Sequence, residues 1–290
     1  MGTSIEIIII QAMHGFVYGL LLFMVASGLT LVLGMMGVLN IAHIAFYMLG
    51  AYIAYSITTY TGSFWLSLVA SPIIVGALSI IIERIFLKKT YKAGHALQIL
   101  LTFGLYFIFA ELVRLIWGTS PFRLAPPELL SGGITLLGKT FPIYRLFIIG
   151  FSVVIFIAMI LILMRTRIGI IIRAAVYDTD MVEALGNNIP LYFIGVFAAG
   201  AFLAAVAGVV AAPLLTIFSG MGDQVLLDCF VVIIVGGFGS LLGAFIASLM
   251  LGQLQSFGIM WIPELAIVFQ FLLMALVLII RPTGLMGEEI

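Results

Sequence analysis

The sequence predicts an all-α integral membrane protein, and three observations carry that prediction. Of 290 residues, 64% are hydrophobic and 8% charged, whereas a soluble domain carries about 25% charged residues. The apolar residues form helix-length runs, unlike the ~10-residue alternating segments of a membrane β-barrel. The few charges cluster between those runs. Net charge is zero, so electrostatics argue against a nucleic-acid partner. The opening MGTSIE lacks the basic region of a secretory signal, so no signal peptide is expected. Cys229, the single cysteine, reads as a small packing residue.

A helix needs ~20 apolar residues to cross ~30 Å of hydrocarbon. Six segments fit one crossing each: 41–60, 64–82, 95–117, 143–164, 192–213 and 261–280. Two stretches are longer. Residues 5–39 hold one charge, Glu6, and residues 224–256 hold one, Asp228. As continuous helices each would run ~50 Å, and tilt absorbs part of that excess. Each is therefore expected to be broken or folded into two passes. The prediction is eight hydrophobic segments, up to ten passes, in one transmembrane domain over 1–290.

Both long stretches carry glycine pairs where a break would fall. Offset by 202 residues, LGMMGVLNIAHIAFYMLG (33–50) and VGGFGSLLGAFIASLMLG (235–252) match at Gly34/Gly236, Gly37/Gly239, Leu39/Leu241, Ala45/Ala247, Leu49/Leu251 and Gly50/Gly252. The pattern suggests two related halves, each with a discontinuous helix of the kind transporters place beside their substrates. Gly15-x-x-x-Gly19, Gly239-x-x-x-Gly243 and the run 198–208 allow close helix approach, within the chain or to a partner.

Orientation follows from the basic residues. Arg84, Lys88, Lys89 and Lys92 form one cluster, and Arg165, Arg167 and Arg173 another, two spans later. Both are expected in the cytoplasm. The Pro- and Gly-rich loop 118–142 then lies outside as a compact cap, and Arg281 favours a cytoplasmic C-terminus. Glu111 and Arg114, at i and i+3, suit a surface ion pair. Asp223 suits the N-cap of a span.

The polar segment 165–191 interrupts the lipid-compatible chain. Within it DTDMVEALGNNIP predicts a helix of two to three turns over 178–186. Asp178 or Thr179 serves as N-cap, Asp180 and Glu183 suit its positive end, Gly186 is the C′ residue and Pro190 prevents continuation. Met181, Ala184 and Leu185 would lie on one exposed flank. So short a helix is marginal alone in water, so it is expected to dock against another protein.

Here the residues reach a known family. Arg173-Ala174-Ala175 … Glu183-Ala184-Leu185-Gly186-x-x-Ile189 resembles the cytoplasmic coupling loop of ABC importer permeases. Residues 28–55, PPELLSGG (126–133) and 231–252 resemble the branched-chain amino acid permease subunits, in the expected order over nearly the whole chain. It departs at His43-Ile44, where the family more often has a small residue after the histidine, and at Tyr177–Asp180, where a looser polar run is usual. The resemblance implies a transport subunit in the cytoplasmic membrane that is no enzyme and binds no cofactor. It would pair with a second permease chain, two ABC ATPases holding ATP and Mg²⁺, and an extracytoplasmic substrate-binding protein. The chain itself has no G-x-x-x-x-G-K-[ST] phosphate loop. The coupling residues would be Arg173, Asp178, Asp180, Met181, Glu183, Ala184, Leu185 and Gly186.

For the substrate path the candidates are Asn40, His43 and Tyr47, with Gly34, Gly37, Gly236, Gly239 and Ser240 shaping the breaks. Asn40 and His43 equally suit interhelical hydrogen bonding. His43 has no second His, Cys or acid at ligand spacing, so no metal is expected. Asp228, an ionisable group inside a span, is a functional candidate unless hydrated from the helix end. The rival readings are an ion-coupled secondary transporter of small solutes, which needs paired acids at midplane depth, and a channel or scaffold.

Overall fold

A computed structural model describes residues 5–91, 94–136 and 138–287. The opening residues 1–4 and Lys92 therefore lie outside the described residues. Helices dominate: α1 (Ile5–Met36), α2 (His43–Thr61), α3 (Phe64–Ile85), α4 (His95–Trp117), α5 (Ile143–Arg165), α6 (Arg167–Tyr177), α7 (Thr179–Ala184), α8 (Ile189–Ala211), α9 (Met221–Gly236), α10 (Leu241–Trp261) and α11 (Ala266–Ile280). One short antiparallel hairpin, β1 (Gly133–Leu136) with β2 (Lys139–Pro142), stands in the 118–142 loop. Glycines and prolines there forbid a helix, and the chain closes on itself in strands instead.

The chain is an all-α membrane protein. Among the described residues, seven helical segments are long and apolar enough to cross a membrane. These are α1, α3, α4, α5, α8, α10 and the last helix with its leading turn. The expected count of eight is not reproduced. The 41–60 segment forms α2, but its Tyr, Thr and Ser residues leave it less apolar, and most of its first three turns are buried by other helices. A helix shielded by protein needs no lipid-compatible surface.

The two long stretches behave differently from each other. Residues 5–39 were expected to break or turn back, yet α1 runs unbroken for 32 residues, about 48 Å. Protein rather than lipid covers it: Gly15 and Gly19 press on α10, and Gly28 presses on α8. A Cβ on Gly19 would sit 2.6 Å from the Ser248 carbonyl oxygen. The 224–256 stretch does divide, at 237–240, into α9 and α10. Ser240 caps α10 by accepting from the Gly243 N–H at 3.0 Å.

The suspected repeat extends further than the glycines. Shifted back by the same 202 residues, α9, α10 and α11 fall on 19–34, 39–59 and 64–78, the ground of α1, α2 and α3. The two breaks also meet. A Cβ on Gly34 would lie 2.7 Å from the Gly239 Cα, so only hydrogen fits between the backbones.

The poles follow the charges. Phe64 and Trp65 at the start of α3 pack on Tyr144 and Phe147 at the start of α5. Both helices lead away from the hairpin toward their basic ends, Arg84 and Arg165, and beyond α3 Tyr91 packs on Phe193 near the start of α8, the helix that follows α7. The tail after α11 returns to α9 there, with Leu285 N–H donating to the Val235 carbonyl at 2.8 Å. Arg281 therefore lies at the basic pole, as expected. At the other pole Phe122 bridges to Ile217 and stacks near Tyr52 and Tyr55.

Candidate coupling helices and transport path

The polar segment folds as two helices at the basic pole. Thr166 caps α6, its hydroxyl accepting from Gly169 N–H at 3.1 Å. Sequence reasoning missed α6 as a helix, although the period of Ile171, Ala174 and Ala175 was there to read. Asp178 then caps α7, its carboxylate accepting from Met181 N–H at 2.9 Å. The far end closes as a Schellman turn. Gly186 N–H donates to the Glu183 carbonyl at 2.9 Å, and Asn187 N–H donates to the Val182 carbonyl at 3.4 Å. Gly186 has φ +87°, a conformation that costs other residues about 1–2 kcal/mol. Pro190 stands in the first turn of α8, capped by Asn188.

The helix is shorter than expected, six residues rather than two to three turns. Its anchor is Val182, 5% exposed; Met181 and Leu185 are 58% and 75% exposed. Asp180, Glu183 and Ala184 are also exposed. Arg173 turns back to donate to the Leu163 carbonyl at the end of α5, tying α6 to that span. Beside α6, a largely apolar gap of about 690 Å³ separates α5 from α8, with Ile168 and Ile172 on one wall and Phe202 on another.

The path candidates do not form one cluster. Gly34, Gly37, Gly236, Gly239 and Ser240 gather near the basic pole. Asn40 and His43 are fully buried. The His43 ring bonds the Val25 carbonyl at 3.1 Å, which fits the fastening role. Both side-chain polar atoms of Asn40 are buried without a partner. Nearby, α2 and α9 begin inside the molecule rather than at a pole. A Cβ on Gly222 would be 2.6 Å from Ile44 Cγ2. Gly220, not Asp223, is the N-cap of α9. Asp223 lies in the first turn and accepts from the Tyr106 hydroxyl, because that phenol reaches in from α4.

Tyr47 and Asp228 belong to a third place. A cavity of about 240 Å³ opens between α1, α2, α5 and α9, lined by His14, Tyr18, Leu22, Tyr47, Arg145 and Leu214 among others. The Tyr18 hydroxyl donates to Asp228, and Gln270 lies on the other side of that carboxylate. Cys229 beside it is fully buried, the packing residue expected. His14, Tyr18 and Arg145 were not singled out from the sequence. The available signal was a lone arginine in the first turn of an otherwise apolar span. The expected surface ion pair is present, Arg114 donating to Glu111 at 2.6 Å.

Interrupted helices that start in the interior, buried polar groups along them and a capped helix pair at one pole define a membrane transport protein. The chain belongs to the family described as branched-chain amino acid transport system / permease component, whose profile matches residues 11–278. It is similar to the high-affinity branched-chain amino acid transport system permease protein BraD of Pseudomonas aeruginosa, 28% identical across 96% of this chain and 95% of the relative. It is also similar to the LivH permease protein of Escherichia coli K12, 27% identical across 96% and 95%. The probable branched-chain amino acid transport permease LivH of Methanocaldococcus jannaschii is 24% identical across 94% and 90%. No solved structure matches the chain.

Proposed function

We propose that this chain is the non-catalytic permease subunit of an ATP-driven ABC importer in the cytoplasmic membrane. Its cargo is a branched-chain amino acid, the class its relatives' names carry, or another small amino acid. Two partner ATPases bind and hydrolyse ATP with Mg²⁺, a second permease chain completes the path, and an extracytoplasmic binding protein delivers substrate. The observation that carries this reading is α7. A helix too short to persist alone is capped at both ends, anchored by Val182, and presents Met181, Ala184 and Leu185 outward. Exposed apolar side chains on a rigid knob suit a socket in another protein.

In this mechanism ATP closes the ATPases and drags α7. The pull passes through Arg173 and the Leu163 carbonyl to α5, and through Asn188 to α8. The apolar gap between those spans leaves room for them to shift. Coupling requires that the ATPases grip α7 differently in their two states. Substrate passes the cavity that Tyr47 lines on its way to the pole where the glycine breaks gather.

The test is a single introduced cysteine. Leu185→Cys in a Cys229→Ser background is expected to crosslink to a nucleotide-hydrolysing partner, with a yield that changes on adding ATP. Labelled leucine uptake by the assembled complex is expected to need ATP. If the chain alone drives uptake on an imposed ion gradient, it is a secondary transporter and the proposal is wrong.

A further inference from the structure

We propose that the cavity between α1, α2, α5 and α9 binds the α-carboxylate of the transported amino acid, with Arg145 and His14 as the anion-holding pair. The inference rests on the permease reading above and adds a place and a chemistry for substrate inside this chain.

The argument begins with a charge in an unfavourable position. Arg145 stands in the first turn of α5, at the positive end of the helix, where a cation opposes the dipole. Among the described residues, the one salt bridge is between Glu111 and Arg114, so no described carboxylate neutralises Arg145. Its guanidinium contacts the His14 ring instead. His14 in turn stacks on Phe141, centroids 5.3 Å apart, which fixes the pair against the hairpin. Arg145 Nε is buried with no hydrogen-bond partner. A guanidinium held this way lacks an acceptor for a donor that is already desolvated. A carboxylate supplies two oxygens in the geometry a guanidinium fork matches, and the N-terminal end of α5 reinforces the attraction.

The rest of the cavity suits the remainder of an amino acid. Its volume of about 240 Å³ is about eight water molecules' worth of liquid, room for one small solute. Leu21, Leu22, Val25 and Leu214 form apolar walls, complementary to a branched aliphatic side chain. Tyr18 and Tyr47 bring phenol oxygens. Tyr18 donates its proton to Asp228, so its oxygen lone pairs remain to receive an ammonium, with the acid standing behind the phenol outside the cavity wall. Arg145 on His14 and Asp228 behind Tyr18 thus meet α1 one helical turn apart, a spacing that suits the two charges of a zwitterion.

The experiment uses the complete transporter in membrane vesicles, with Cys229→Ser and Leu215→Cys in this chain. Leu215 lines the cavity and is 42% exposed. The rate of maleimide alkylation at that thiol is read with L-leucine, with leucinol, which lacks the carboxylate, and with inorganic phosphate. Leucine is expected to slow alkylation at least fivefold, with leucinol and phosphate leaving it unchanged. Arg145→Gln is expected to abolish the protection and Arg145→Lys to retain part of it. Should Leu215→Cys impair assembly, Leu214→Cys is read by the same criteria. Equal protection by leucinol or phosphate, or none by leucine, in a complex with normal leucine uptake would overturn the site and leave the permease reading standing. A native complex that takes up no branched-chain amino acid would refute that reading, and the site with it.

Discussion

At the scale of single residues, backbone conformation and buried hydrogen bonds decide what can change. Gly186 adopts φ +87° and closes α7. Gly186→Val is expected to cost about 1–2 kcal/mol locally and to leave insertion intact. In proteoliposomes of the complete transporter, ATP hydrolysis by the partner subunits should persist and leucine uptake should fall several-fold; normal uptake would remove the docking role of α7. His43 presents the opposite case. Fully buried and bonded to the Val25 carbonyl, it fastens α2 to α1. His43→Ala is expected to lower stability by about 1 kcal/mol, the usual worth of such bonds inside membranes, with the KM for leucine unchanged. A raised KM at unchanged melting temperature would return His43 to the substrate path.

At the scale of elements, α7 is a question of caps. Its six residues make few hydrogen bonds of their own, so Asp178 and the Schellman turn hold it. Asp178→Ala is expected to cost about 1 kcal/mol. Hydrogen exchange should then accelerate at Val182–Gly186 and remain unchanged in α8. Equal exchange would mean that Val182 alone anchors the helix. The sequence showed these caps plainly, because capping is local chemistry between residues three apart. It did not show α6 as a separate helix. Nor did it show that Arg173 bonds the end of α5, since that contact depends on the turn angle between two elements.

At the scale of the whole molecule, the two glycine breaks meet where the suspected halves of the chain converge. Gly34→Val would place new atoms where a Cβ already falls 2.7 Å from Gly239 Cα. Overpacking of this sort costs on the order of 1–3 kcal/mol. The melting temperature of the solubilised protein is expected to drop, with a matching loss of transport. An unchanged melting temperature would show that the breaks separate freely. The breaks were legible as glycine spacing, and so was their relation at an offset of 202 residues. Their direct contact was not legible, because nothing in a linear pattern says which distant segments touch.

The sequence by itself determined the class of protein, the polarity of its charges and the caps of α7. These depend on composition, on apolar run length and on neighbours a few residues apart. Tertiary structure alone decided that the 5–39 stretch is one unbroken helix while the 224–256 stretch divides, since burial of α1 by α10 and α8 replaces the lipid that would otherwise limit its length. It alone brought Arg145 to one cavity with His14 and Tyr18, which lie more than a hundred residues earlier in the chain. A charge in an apolar span is visible in one dimension; whether another group answers it depends on how the helices pack.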